Sequence, residues 1–151
     1  MRADGLDLVF LPLGPEEIFF RQLVHQEFDA SEMSLGSFVA GLSHGEFPFV
    51  AIPVFPSRAF RHSAAYVHAD AGIAKPADLR GKRVGVAEYQ LTANVWLRGI
   101  LEDDFGVQPR ELRWYSGGLE VPGRREKVAF PLPAGVTVEP IPKDETLSRM
   151  L

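Results

Sequence analysis

Apolar residues along this chain form short runs separated by amphipathic stretches, a pattern typical of strands that alternate with helices. Most of the runs are almost continuously apolar, which favours strands buried on both faces, as in parallel sheets. Six runs are predicted to be strands: residues 6–13, 49–54, 63–67, 84–86, 112–116 and 136–141. Their order implies right-handed crossovers and a mostly parallel α/β sheet.

Two helices are predicted before the middle of the chain. The first begins at Gly14 and Pro15, because proline suits the first helical position. Its predicted buried stripe consists of Phe20, Leu23, Val24 and Phe28. The second helix carries an apolar stripe of its own (Phe38, Val39 and Leu42), and Ser34 or Ser37 is its predicted N-cap.

The clearest helical stripe follows the fourth apolar run. Its members recur at i, i+3, i+4, i+7 and i+8, and they are Ala93, Trp96, Leu97, Ile100 and Leu101. Thr92 is predicted to cap this helix, in preference to contacting a ligand, and Gly106 is predicted to end it. Trp96 and Trp114 are both predicted to lie in the core.

A change of composition after residue 70 predicts two α/β lobes, residues 1–70 and 71–151. Both lobes are expected to be incomplete, because nothing precedes the first strand and the last helix, starting near residue 144, has no stop signal. Residues 120–135, rich in proline and glycine, are predicted to form a surface loop. The charge run at 124–127 within it is expected to be solvated.

Composition narrows the classes of function. The 151 residues are 46% hydrophobic and 24% charged, as in ordinary globular proteins. A net charge of -4 argues against nucleic acid or an anionic membrane as the main partner, and the oligomeric state stays open. The absence of cysteine excludes disulfides and thiolate chemistry, and the four histidines form no cluster typical of a metal site. No secretory signal opens the sequence, which predicts a cytoplasmic protein, or a periplasmic one if a signal peptide has been lost.

A basic stretch joins the second and third apolar runs. It contains Arg58, Arg61, His62 and Ser63, with phenylalanines beside them. Guanidinium groups bind carboxylates in a bidentate way, and imidazole transfers protons near neutral pH. These side chains therefore predict a site for a small carboxylate, and a solvated basic turn is the alternative.

Two strand-to-helix junctions are further candidate sites. Ligands of open α/β sheets bind at the carboxyl ends of strands, where helix N-termini offer free N–H groups. One junction contains Ser34. The other contains Glu88, Tyr89, Gln90 and Thr92, which offer a carboxylate, a phenol, an amide and a hydroxyl within five residues. Edge packing is the alternative role for Tyr89. Motifs for dinucleotides, nucleotide phosphates or zinc-dependent hydrolysis are absent from the sequence.

Three segments resemble the 4,5-dihydroxyphthalate decarboxylases. They are residues 54–63, 75–86 and 88–93. The middle one, with its Pro-Ala-Asp-Leu-Arg-Gly-Lys-Arg-Val-Gly-Val sequence, is common to a wider group of folds, whereas the Ser-Arg-Ala-Phe-Arg-His-Ser and Glu-Tyr-Gln-Leu-Thr segments are more specific. The resemblance implies a fold similar to type II periplasmic solute-binding proteins, with two lobes closing on a ligand. It also implies a longer protein.

The implied substrate is an aromatic dicarboxylate that needs no cofactor to lose carbon dioxide. Each carboxyl-bearing carbon of 4,5-dihydroxyphthalate is para to a phenolic oxygen, so deprotonating that phenol prepares the carbon for protonation. On this hypothesis the two arginines clamp a carboxylate and His62 is a general acid or base. Glu88 engages the hydroxyl groups, and the remaining polar residues orient the substrate: Ser34, Ser63, Tyr89, Gln90 and Thr92. The sequence does not separate acid from base.

A non-catalytic protein is the competing interpretation. A solute-binding protein or sensor domain for an aromatic or other small carboxylate would use the same arginines, because a clamp alone does not make an enzyme. A third alternative is that this chain has no activity because its cleft is incomplete.

Overall fold

The computed structural model describes residues 5–45, 47–127 and 130–151. The chain divides into two compact units, Met1–Met33 and Ser34–Leu151. In the first unit, helix α1 (Pro15–Phe20) starts where predicted and continues as a π-helical turn, Arg21–His25. The apolar stripe predicted for this helix is not buried as a whole, since Phe20 and Val24 are both exposed.

The second unit contains the remaining elements. They are helix α2 (Leu35–Ser43), a 3-10 turn (Pro76–Leu79), strand β1 (Arg83–Val86), helix α3 (Thr92–Asp103), a 3-10 turn (Pro109–Glu111), strands β2 (Arg113–Ser116) and β3 (Val138–Pro140), and helix α4 (Leu147–Met150). The predicted α/β class is confirmed. None of the helices in the described ranges is long and apolar enough to cross a membrane.

The three strands form one parallel sheet in the order β1-β2-β3. Val84 lies opposite Trp114, which in turn lies opposite Val138. Helix α3 makes the crossover between β1 and β2, and Gly106, at a φ of 62°, ends the helical segment as predicted. Because the strands are parallel, the residues that follow β1 and those that follow β2 lie at the same edge of the sheet.

One apolar cluster forms the core of this unit. Its buried members are Val86, Tyr89, Leu101, Val107, Leu112, Trp114 and Val136. Trp114 is only 1% exposed, as predicted, but Trp96 is 53% exposed, so its predicted core position is wrong. Leu97 and Leu101, one turn apart, are the residues of the α3 stripe that meet the core. Trp96 lies about 100° around the helix from Leu97 and faces away.

Three predicted strands are wrong. Residues 6–13, 49–54 and 63–67 form no strand, and their apolar side chains are mostly exposed, as for Val9 (77%) and Val50 (92%). A strand requires a neighbour that satisfies its backbone N–H and C=O groups. Within the described ranges the paired strands are β1, β2 and β3 alone. The lobe boundary near residue 70 and the two-lobed arrangement stay predictions.

Candidate functional site

Glu88 and Tyr89 follow β1 after Ala87 and lie at its carboxyl end, as predicted. The chain then turns through Leu91 into helix α3. Both Glu88 and Tyr89 are only 3% exposed. A buried carboxylate requires partners, because removing a charge from water is costly unless it is paired and hydrogen-bonded.

The Glu88 carboxylate is held by two cations. Its Oε1 accepts hydrogen bonds from Arg124 Nε at 2.9 Å, Arg124 Nη2 at 2.6 Å and Lys127 Nζ at 2.5 Å. Its Oε2 accepts from the Lys127 backbone N–H at 3.1 Å. Side-chain exposure is 5% for Glu88, 13% for Lys127 and 29% for Arg124. This is therefore a largely desolvated ion-pair group rather than a surface salt bridge.

The prediction that the charge run at 124–127 is solvated is therefore wrong for Arg124 and Lys127. These residues lie on the chain that leaves β2, and this chain folds back over the end of β1. Parallel strands bring their carboxyl ends to one edge, so a charge run after β2 belongs near the residues after β1. The sequence does show a charge run after one predicted strand and Glu88 after another. The contact between them can be predicted only if the two strands are known to be neighbours.

Arg98, on helix α3, packs against the ring of Tyr89. Its guanidinium carbon lies 3.6 Å from the centroid of the tyrosine ring, and Nη1 donates to the Tyr89 carbonyl at 2.5 Å. The ring also meets Trp114 edge-on at 5.4 Å, so packing, the alternative given for Tyr89, is confirmed for its ring. Burial raises the pKa of the Tyr89 phenol and lowers the pKa of Arg98.

Glu126, which lies between Arg124 and Lys127 in the sequence, also contacts Tyr89. Its Oε1 accepts a hydrogen bond from the backbone N–H of Tyr89. Burial, with a smaller effect from the neighbouring Glu88, raises the pKa of the Glu126 carboxyl. Within the described residues, Glu126 Oε2 and the Tyr89 hydroxyl are buried and have no hydrogen-bond partner. We call Glu88, Tyr89, Arg98, Arg124, Glu126 and Lys127 the strand-end cluster.

Ser34 and Thr92 form a second pair of predicted site residues. Their hydroxyl oxygens are 2.9 Å apart, and Thr92 Oγ1 also accepts from the Gly36 N–H at 3.0 Å. Ser34 caps α2 as predicted, accepting from Ser37 N at 3.4 Å. The predicted N-cap role of Thr92 is wrong: Leu91 occupies the N-cap position of α3, and the Thr92 hydroxyl contacts the start of α2 instead.

The absence of a side chain at Gly36 permits this approach between the two helices. A Cβ at Gly36 would stand 3.0 Å from the carbonyl oxygen of Gln90 and 3.1 Å from Thr92 Cα. Gln90, half-buried, thus contributes its backbone to the contact between α2 and the start of α3. The structure brings Ser34, Gln90 and Thr92 together, next in sequence to Glu88 and Tyr89.

The basic turn, residues 58–63, is placed elsewhere in this unit. Arg58 is exposed and donates from Nε to the Phe55 carbonyl at 3.5 Å; Arg61 is half-buried and Ser63 exposed. His62 Nε2 lies 3.7 Å from Asp104 Oδ2, at the far end of α3 from Thr92. Twelve residues of helix at about 1.5 Å each separate those two ends by about 18 Å. Among the described residues, His62 contacts Asp104 and Phe60, and neither of these belongs to the strand-end cluster.

Comparison with known proteins gives two similar sequences. The whole chain is 51% identical to a Pseudomonas putida protein named 4,5-dihydroxyphthalate decarboxylase, and 50% identical to a Comamonas testosteroni protein of the same name. It spans 58% and 46% of their respective lengths. No protein-family model matches the chain. The resemblance to 4,5-dihydroxyphthalate decarboxylases is thus confirmed along all 151 residues.

Proposed function

We propose that this chain forms part of a decarboxylase that converts 4,5-dihydroxyphthalate, or a closely related dihydroxylated aromatic dicarboxylate, to protocatechuate and carbon dioxide. The observation that carries the proposal is the identity of about half of all 151 residues to two proteins of that name. The structure supports it with a buried polar cluster at the carboxyl edge of a parallel sheet, where ligands of such sheets bind.

The charge of the strand-end cluster suits an anionic substrate. Three cationic side chains, Arg98, Arg124 and Lys127, accompany two carboxyl groups, Glu88 and Glu126. The protein as a whole carries a charge of -4, so this local excess of positive charge is opposite in sign to the net charge of the molecule. A dicarboxylate would be attracted to it, and the low exposure of the cluster strengthens each charge interaction.

The reaction requires a base for the phenol, an acid for the ring carbon and donors that fix the ring. In the proposal these groups come from the strand-end cluster, with Gln90 and the Ser34–Thr92 pair orienting the substrate. The alternative proposal places the carboxylate clamp at Arg58 and Arg61 and the proton-transfer group at His62. One benzene ring with two carboxylates is shorter than helix α3, whose length of about 18 Å separates Thr92 from Asp104, the partner of His62. The roles of these three residues are therefore tested separately.

We also propose the two-lobed arrangement of type II solute-binding proteins, with lobes at 1–70 and 71–151. The parallel sheet and its polar carboxyl edge support it. A crystal structure with a different topology for residues 71–151, at the full length of the relatives, would contradict it. The cytoplasmic location stays a prediction.

A chimera tests the activity. This chain replaces the matching segment of the Pseudomonas putida protein, and the product is incubated with 4,5-dihydroxyphthalate. We expect release of carbon dioxide together with 3,4-dihydroxybenzoate. Phthalate is the matched control substrate, because without the para hydroxyl it offers no electron pair to the ring carbon and should not react.

Two outcomes would contradict the proposal. If the native relative is active and the folded chimera binds 4,5-dihydroxyphthalate without releasing carbon dioxide, the solute-binding alternative is supported instead. If the folded chimera neither binds nor reacts, the proposed substrate is wrong for this chain. The 151-residue chain is assayed in parallel to measure how much activity it has alone.

A further inference from the structure

The two carboxyl groups of the strand-end cluster have opposite surroundings. Both oxygens of Glu88 are engaged, and together they accept four hydrogen bonds from Arg124 and Lys127. Such a group is committed by its contacts to two cationic side chains. A carboxylate already committed in this way is poorly suited to carry a proton to a substrate.

The two carboxyl oxygens of Glu126 differ in their hydrogen bonding. Oε1 accepts from Tyr89 N, whereas Oε2 is buried and has no hydrogen-bond partner among the described residues. Buried polar atoms almost always have partners, so an orphan of this kind requires an explanation, such as a catalytic role or a missing ligand. The hydroxyl of Tyr89, which is only 3% exposed, is a second orphan in the same cluster.

Two charged groups act on Glu126: Glu88, which follows β1, and Arg98, which lies on α3. Arg124 and Lys127, from the same loop as Glu126, bind Glu88. Burial and the Glu88 carboxylate favour the protonated form, and they outweigh Arg98 and the backbone N–H groups of Tyr89 and Gln90, which favour the anion. A pair of carboxyl groups whose surroundings differ in this way is the usual arrangement for separate acid and base roles.

We propose that Glu126 is the general acid of this site, with the Tyr89 N–H holding Oε1 so that Oε2 carries the proton to the substrate. The inference rests on the proposed function and assigns a step in it that the sequence left open. Glu88 is then the partner that orders Arg124 and Lys127.

The step balances without an added reagent. The phenol para to the reacting carbon first gives its proton to water, and the product phenolate takes one back at the end. The phenolate oxygen pushes an electron pair into the ring, and the reacting carbon takes the proton from Glu126, forming a C–H bond as the O–H bond breaks. The C–C bond to the carboxylate then breaks, its electron pair restores the aromatic ring, and carbon dioxide leaves. Glu126, now a carboxylate, regains a proton from water.

The test uses Glu126→Gln in the chimera. Glutamine keeps an oxygen that accepts from Tyr89 N but has no carboxyl proton to donate. We expect kcat to fall by about 10²–10⁴-fold, the usual contribution of a general acid, with the dissociation constant for 4,5-dihydroxyphthalate changing by less than threefold. Glu126→Asp, which retains a carboxyl group one methylene shorter, should recover part of the rate.

Glu120→Gln is the matched control. Glu120 lies on the same loop, but it is exposed and bonded to the Ser148 hydroxyl at 2.6 Å, so its replacement should leave kcat unchanged. The pH profile gives a second readout. The donor must be protonated, so kcat of the parent chimera should fall as the pH rises through the pKa of Glu126, and this limb should be missing from Glu126→Gln.

Each outcome decides the inference. A kcat in Glu126→Gln within threefold of the parent would overturn it and leave the decarboxylase proposal standing, since Glu126 would then merely hold the loop. A fall in kcat with an unchanged pH limb would also overturn it. A folded parent chimera that releases no carbon dioxide, beside an active native relative, would overturn both. If Glu126→Gln fails to fold, the activity and pH limb of Glu126→Asp decide instead: a full rate with the limb at its original pH overturns the assignment.

Discussion

The strand-end cluster and the basic turn carry similar side chains in opposite settings. Both contain cations and a group that can exchange protons. In the cluster the charges are largely removed from water and each carboxylate meets named partners, as at Glu88 and Arg124. In the turn the pair of His62 and Asp104 is more than half exposed on both sides. The comparison teaches that clustering in sequence and clustering in space select different residues as the candidate site.

The same difference has an energetic meaning. An exposed ion pair contributes little, because water competes for both charges and salt screens them. Water does not reach a desolvated pair such as Glu88 with Lys127 in the same way. The loss of one partner therefore leaves the charge of the other uncompensated. Mutations in the two regions should therefore differ far more in their effects on the free energy of unfolding than the similar chemistry of the side chains suggests.

The largest expected effect comes from the residue beneath the strand-end cluster. Trp114→Ala should lower the free energy of unfolding by about 3–5 kcal/mol, because the ring is fully buried against Tyr89 and the core. Urea unfolding of the 151-residue chain measures it. Trp96→Ala is the control and should cost less than about 1 kcal/mol, since surface substitutions have small effects. Equal losses would show that the two rings are similarly buried.

The next effect concerns the ion pairs themselves. Glu88→Gln should lower the free energy of unfolding by about 3 kcal/mol, the lower end of the range for breaking a buried pair, because Arg124 retains some contact with water. Asp104→Asn removes the exposed partner of His62 and should change stability by less than about 0.5 kcal/mol. A loss below about 1 kcal/mol for Glu88→Gln would mean that the cluster is solvated after all.

Local patterns predicted the β1–α3 junction well. An apolar run, a short turn and an amphipathic helix follow each other within about twenty residues, and this pattern predicts Glu88 and Tyr89 at the carboxyl end of a strand. The burial of Trp114 followed from the same kind of pattern. Ser34 as a cap also depends only on residues three positions apart. Interactions of this short range are what a sequence pattern describes best.

Longer-range features were missed because they depend on neighbours. Arg124 and Lys127 are 36 and 39 positions from Glu88, and their role appears only once β1 and β2 are known to be adjacent. Trp96 shares a helical stripe with Leu97, but which edge of a stripe is covered depends on the elements packed against it. The runs at 6–13 and 49–54 have strand composition, yet composition supplies no hydrogen-bonding neighbour.

A smaller effect should appear in the pH dependence of stability. The pKa of Glu126 is raised in the folded protein, so the folded state holds this proton more tightly than the unfolded state does. The resulting stabilisation is fully present below the ordinary glutamic acid pKa, about 4.3, and is lost as the pH rises through the folded pKa. Glu126→Gln has no such titration.

Unfolding free energies of the two proteins, measured from pH 4 upward, test this sign. The advantage of the wild type over Glu126→Gln should shrink as the pH rises. An advantage that grows with pH would mean that the Tyr89 N–H and Arg98 dominate and that the pKa is lowered instead. The effect should be smaller than that of Glu88→Gln because Glu126 is only half-buried.

The smallest effect on stability is expected in the basic turn, and it separates folding from binding. Arg58→Lys, Arg61→Lys and His62→Gln should each change the free energy of unfolding by less than about 0.5 kcal/mol, because the turn makes few contacts in the described structure.

In the chimera, however, the two lysine variants should bind 4,5-dihydroxyphthalate about tenfold more weakly, since lysine keeps the charge but loses the bidentate fork. His62→Gln should lower kcat and leave affinity largely intact if His62 transfers a proton. Equal losses of kcat and affinity would make it a binding residue, and full activity in all three variants would reduce the turn to a solvated surface and leave the chemistry to the strand-end cluster.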